Sequence, residues 1–149
     1  MTLMRKADLL DEIRAEIGVV SDGLNGDITE LFEFTVQSLY RKVPAYQCVG
    51  VYLVSNGKFR CMCQAGQRYL SPIIPFGEGL HSLAAARGGV VREQSENRTE
   101  VYVPFYRGHH LIGELVMIGE PGESIDEEDI SLFCEIASLF ESKVEECSP

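Results

Sequence analysis

At Pro44 the spacing of apolar residues changes from helical to alternating, and strand-like segments then recur to Ile118 with one interruption. This switch limits the chain to helices at its ends and, apart from that interruption, strands between them. Before the switch, Leu3, Leu9, Leu10, Ile13 and Ile17 recur at helical spacing and predict an amphipathic helix ending near Gly18, with residues 21–26 as a loop. Asp27 then caps a second helix with the stripe Ile28, Leu31, Phe32, Thr35, Val36, Leu39 and Val43, which Pro44 ends. After the switch, residues 46–54 and 58–64 read as a hairpin about Ser55-Asn56-Gly57. Residues 69–74 read as a third strand, and 90–92 as a short one followed by a polar loop over 93–98. Residues 100–106 and 111–118 form two further strands. Ser124 with Glu127 has the spacing of a capping box, and opens a last helix that buries Ile130, Phe133, Ile136, Ala137, Leu139, Phe140 and Val144.

One segment interrupts the strands. Phe76-Gly77-Glu78-Gly79-Leu80 leads into the helix formers His81-Ser82-Leu83-Ala84-Ala85-Ala86-Arg87, which stop at Gly88-Gly89. A helix start of this kind offers unpaired N–H groups and the positive end of the helix dipole to an anion or polar head group. The economical architecture is α+β: one antiparallel sheet of about six strands, the terminal helices on one face, and a short helix with loops over a pocket on the other. The expected organisation is a single domain over residues 1–149, with an N-terminal helix and loop (1–25) and a core (26–146).

The formal net charge of −10 is unevenly spread, with net −3 over residues 1–43, +2 over 44–119 and −9 over 120–149. An acidic C-terminal helix face argues against nucleic acid as a partner. No apolar run approaches the ~20 residues of a membrane span, and the N-terminus lacks an apolar signal segment, so a cytoplasmic protein without membrane partners is expected. The five cysteines, Cys48, Cys61, Cys63, Cys134 and Cys147, have no zinc-like spacing and read mostly as small core residues. By alternation Cys61 and Cys63 share a strand face.

Strand Val49-Gly50-Val51-Tyr52-Leu53, then Pro75-Phe76-Gly77-Glu78-Gly79-Leu80, Glu100-Val101-Tyr102-Val103-Pro104-Phe105, Leu111-Ile112-Gly113-Glu114-Leu115 and Ile125-Asp126-Glu127-Glu128-Asp129 together resemble a GAF domain, in order and spacing. The resemblance implies a GAF/PAS-like sheet with a small-ligand pocket facing the glycine segment. In length and strand motifs the chain is similar to the free methionine-R-sulfoxide reductases of this family. Those carry a cysteine where His81 stands, another in the loop spanning residues 92–99, and two aspartates where Val116 and Ile118 stand; only Glu100 matches their substrate-binding set. The Asn-Lys-Phe-Asp-Glu-type signature of cyclic-nucleotide GAF domains is absent, and His81 has no neighbouring cysteine for bilin attachment. The neutral pocket is similar to that of GAF nitrate receptors, although these use a tryptophan and this chain has none.

By alternation Cys48, Gly50 and Tyr52 share one face of the first long strand, and Val116 and Ile118 one face of the last. The expected ligand-binding residues are Tyr52, Gly79, Leu80, His81, Ser82, Glu100, Tyr102, Val116 and Ile118. Glu100 needs a partner in such a place, and Arg92, Arg98 or the amides of the glycine turn are candidates. The resulting expectation is a bacterial-type regulatory sensor domain. It binds a small anion or neutral metabolite, signals to a partner such as a sensor kinase, and forms a homodimer through its terminal helices. No metal or cofactor is expected, with haem held by His81, His109 or His110 as a lesser option. The alternatives are a divergent free methionine-R-sulfoxide reductase using Cys61 and Cys63, and a dimerising module without ligand.

Overall fold

The computed structural model describes residues 5–122 and 124–147. Its order is α1 (Lys6–Asp22), α2 (Thr29–Lys42), β1 (Tyr46–Ser55), β2 (Lys58–Gly66), β3 (Ile73–Pro75), α3 (Gly79–Arg87), β4 (Val91–Gln94), β5 (Thr99–Arg107), β6 (His110–Gly119) and α4 (Glu127–Cys147). The strands form one sheet in the order β3-β2-β1-β6-β5-β4, antiparallel throughout. No helix among the described residues is long and apolar enough to cross a membrane.

The pleat sends alternate residues to two layers. Val49, Val51, Val101, Val103, Phe105, Leu115 and Met117 join the core beneath α1, α2 and α4. There Phe32 and Phe140 meet edge to face at 4.9 Å, and both contact the Phe105 ring. Cys48, Tyr52, Phe59, Tyr102, Val116 and Ile118 face the other way and pack with Ala84 of α3. The sheet is thus covered on both faces, by large helices on one and by the glycine segment on the other.

The turn between β1 and β2 is the tight one expected: Asn56 and Gly57 both take positive φ, 51° and 74°, as a two-residue turn of right-twisting strands requires. The second helix keeps its expected stripe, with the Asp27 carboxylate accepting the Thr29 N–H at 3.0 Å.

Several local expectations are corrected. The first helix runs through Gly18 to Asp22, because Ile17 and Ser21, both 1% exposed, continue its buried face, and this offsets the roughly 1 kcal/mol helix penalty of glycine. Leu3 lies outside the described residues. The expected strand over 69–74 is reduced to Ile73–Pro75, since Tyr69 and Leu70 turn inward onto the α3-side layer. The strand expected at 90–92 lies at Val91–Gln94, so Glu93 and Gln94 pair with β5 instead of looping. The capping pair is Asp126 with Asp129, not Ser124 with Glu127. Asp126 accepts the Glu128 N–H at 3.0 Å, Asp129 returns to the Asp126 N–H at 2.9 Å, and the Ser124 hydroxyl donates to the Glu120 carbonyl. In α4, Leu132 joins the buried set, whereas Ile130 and Leu139 are only half-buried.

The most consequential correction concerns the paired cysteines. Tyr52 pairs with Cys61 but Val51 pairs with Cys63, so Met62 is an extra residue on β2. The bulge puts Cys61 on the α3 side and Cys63 on the helix side, and they do not share a face. Among the four cysteines with described side chains only Cys48 is fully buried, and Cys134 is exposed.

Candidate functional site

The α3-side layer is built around His81. Its ring lies 4.5 Å from the Tyr52 ring, 4.7 Å from Tyr102 and 5.2 Å from Phe59, so side chains of β1, β5 and β2 close about one imidazole from α3. It is 1% exposed, and Nε2 has no hydrogen-bond partner. Burial lowers its pKa to about 4, so the ring is neutral at physiological pH. Leu80 packs on the same layer.

Beside His81 the layer carries a polar chain. The Tyr102 hydroxyl donates to Glu100 at 2.7 Å, and Arg98 Nε donates to the other carboxylate oxygen at 3.2 Å. Burial and this carboxylate both push the Tyr102 hydroxyl pKa up, which keeps it protonated and donating. Glu100 therefore takes Arg98 as its partner, with Tyr102 completing its hydrogen bonding, and the glycine turn is not used for it. The Arg98 guanidinium also lies 5.2 Å from the centre of the Tyr69 ring.

Tyr69 belongs to a loop over residues 67–72 that lies across the layer. The chain leaves β2 at Gly66 with φ +90°, where a Cβ would stand 2.2 Å from the Gln47 carbonyl oxygen, so only glycine permits the exit. Two tyrosines tie the loop down. The Tyr52 hydroxyl donates to the Ser71 carbonyl at 2.8 Å, and the Tyr69 hydroxyl donates to the Gln47 side chain at 2.9 Å. Beneath the loop is a cavity lined by Cys48, Gly50, Tyr52 and Gln64 of the hairpin, Val116 of β6, and Arg68, Tyr69 and Leu70. Its volume is about 10 Å³, close to the least that holds one water.

Of the expected site residues, Tyr52, Leu80, His81, Tyr102, Val116 and Ile118 meet in this layer, and Glu100 joins it through Tyr102. Two stand apart. Gly79 is exposed at the start of α3, and the Ser82 hydroxyl accepts the Gly77 N–H at 2.8 Å on the outer side of that helix. Sequence reasoning missed Arg68, and it missed Tyr69 and Leu70, which it placed in a strand. It also missed Glu114, although the alternation that selected Val116 and Ile118 reaches residue 114 on the same face. Glu114 is fully buried, neither carboxylate oxygen has a partner, and burial raises its pKa to about 9. His81 is enclosed by three aromatic rings, which leaves no room for a haem against its ring, and His109 and His110 are exposed at the β5–β6 turn.

No family model and no curated protein matches the sequence. Solved structures do. A free methionine-R-sulfoxide reductase from Neisseria meningitidis, in complex with its substrate, superposes with a TM-score of 0.86 at 25% identity, covering 99% of this chain and 95% of that one. A protein from Burkholderia vietnamiensis described as a GAF sensor gives 0.83 at 15% identity over 98% of this chain and 97% of its own. The GAF domain of a phosphoenolpyruvate-protein phosphotransferase from Coxiella burnetii gives 0.79 at 16% identity, over 95% and 96%.

The chain has the GAF fold.

The GAF fold supports a small-ligand-binding role, and its neighbours here include sensor domains and enzymes alike. On this fold the thiols depart from a paired redox site. Cys63 lies in the helix-side core, where burial pushes its thiol up to about 12, and Cys48 is likewise raised by burial.

Proposed function

We propose that this GAF domain is a receptor for a small anion bound beneath the 67–72 loop, and that it signals through its terminal helices to a regulatory partner. The observation that carries the reading is Arg68. It lines the cavity, is exposed, and makes no ion pair with any described residue. Its charge favours the ionised forms of Cys48 and Tyr52, acting there against burial. With the Arg98–Glu100 pair nearby beside Tyr69, Arg68 leaves one unneutralised positive charge at the cavity, whose wall includes the apolar Val116. A small, weakly hydrated anion suits that combination.

The cavity as it stands is closed, so binding needs the loop to lift and the Tyr52–Ser71 hydrogen bond to break. Loop position then becomes the quantity that ligand changes, which is what a receptor requires. A thermal-shift series with nitrate, nitrite, formate and acetate tests this. At least one anion should raise Tm, because binding to the native state alone stabilises it. Arg68→Ala should weaken that anion by about tenfold or more through loss of a charge-assisted hydrogen bond. Its own stability should change by less than about 0.5 kcal/mol, as is usual at an exposed site. A flat response to all four anions would remove the reading.

Likeness to the Neisseria enzyme favours a second reading, a thiol reductase acting on free methionine sulfoxide. Cys61 is the half-buried thiol on the α3 side that could serve it. Thiol-dependent turnover that disappears in Cys61→Ser would establish this reading in place of the first.

A further inference from the structure

Outside the loop-covered cavity, on the other flank of α3, lies an open groove of about 300 Å³. Its walls are Phe59 and Phe76, whose rings meet at 4.9 Å, with Ala85, Ala86 and Leu111; the Gly77–Ser82 hydrogen bond closes one end. Phe76 is 48% exposed, so part of its ring is open to the groove.

Three bases border the groove in sequence or register. Lys58 precedes Phe59 and pairs in register with Pro75, Arg87 follows Ala86, and Arg107 pairs with His110, which precedes Leu111. Lys58, Arg87 and Arg107 are exposed and make no ion pair with any described residue. On the helix side Lys6, Arg14 and Lys42 are held by carboxylates, whereas Arg41 makes no ion pair with any described residue. Glu78 borders the Gly77 end, so the free positive charge gathers at the end formed by Ala86 and Leu111.

We propose that this groove binds a medium-chain anionic amphiphile, a fatty carboxylate with its chain against Phe59 and Phe76 and its head group between Arg87 and Arg107. A volume of about 300 Å³ lies at the lower end of small-molecule sites. A protein partner would need roughly 20–30 residues on this side, far more than line the groove. The chain contributes by leaving water, and the bases select the sign of the head group.

Calorimetric titration of the whole protein with decanoate, decanol and decylamine, each below its aggregation concentration, tests the proposal. Decanoate should bind, decanol about tenfold more weakly, and decylamine more weakly still. Phe76→Asp should abolish decanoate binding. The double variant Arg87→Glu with Arg107→Glu should bring decanoate down to the level of decanol and leave decanol unchanged, whereas Arg68→Ala should leave decanoate binding intact. Equal binding of the three compounds, no binding of decanoate, or full affinity in the double variant would overturn the proposal. Loss of decanoate binding in Arg68→Ala would also overturn it, by placing the carboxylate in the loop-covered cavity.

Discussion

Asp129→Ala should lower the unfolding free energy by about 3–5 kcal/mol, the range for breaking a buried charged network. Asp129 is fully buried, and three parts of the fold converge on it. The Tyr46 hydroxyl of β1 donates to one oxygen, the Asp126 N–H at the start of α4 donates to the other, and Lys6 at the start of α1 forms an ion pair with it. Alanine would leave the hydroxyl of Tyr46, a residue 2% exposed, without a partner and would open the α4 cap. The Lys6 ion pair is the smaller part of the effect, because its ammonium end is about one-third exposed and partly screened. Asp129→Asn keeps an acceptor for Tyr46 and should cost less than the alanine variant. Urea unfolding followed by circular dichroism measures both, since the chain has no tryptophan to report. A loss below about 1 kcal/mol for alanine would show that the three contacts are not coupled.

The second large effect is on pH dependence. The Glu114 pKa is raised from 4.5 to about 9 in the folded protein, so between these values the unfolded chain releases a proton that the folded chain keeps. The unfolded state then binds fewer protons, and stability falls as pH rises through that window. The His81 pKa is lowered from 6.5 to about 4, so below pH 6.5 the unfolded chain binds a proton that the folded chain refuses, and stability falls as pH falls. From pH 4.5 to 6.5 the two slopes have opposite sign and cancel. From pH 6.5 to about 8 Glu114 dominates, at about 1.4 kcal/mol per pH unit, and closer to pH 9 the Cys48 and Cys63 thiols, also raised by burial, add to the decline. The neighbours do not supply a compensating charge. Tyr52 lies opposite Glu114 in register and Tyr106 is electrostatically linked to it, and both hydroxyls have raised pKa values. Urea midpoints at pH 6.5, 7.5 and 8.5 should therefore decline in the parent protein, and Glu114→Leu should remove that decline. An equal decline in the leucine variant would mean that Glu114 is not the group responsible.

Much of this fold was legible because the change of hydrophobic period at Pro44 is unambiguous. Two layers follow once Val49 and Val51 are separated from Cys48 and Tyr52 by alternation. The same rule failed where the pleat is broken: it assumes one residue per step, and the extra Met62 reverses the facing of Cys63 relative to Cys61. It also gave no warning at residues 69–72, whose β-like composition serves a loop held down by Tyr52 and Tyr69 hydroxyls. Arg68 was missed with them, since a cation next to a supposed strand reads as solvated surface. Long-range partners lie beyond local patterning too. Asp129 looks like one acid of an exposed helix start until Tyr46 and Lys6 arrive from distant parts of the chain. The aromatic enclosure of His81 likewise depends on three strands meeting one helix.

Amide spectra of isotope-labelled protein, recorded while nitrate, nitrite, formate and acetate are added in turn against a chloride control, test the receptor reading most directly. The expected result is saturable shifts at Gly50, Arg68, Tyr69, Leu70, Leu80 and Val116 for at least one anion, with the shifts lost in Arg68→Ala. An absence of saturable shifts for all four anions, or shifts confined to α4 or to the groove at Phe76 and Leu111, would contradict it.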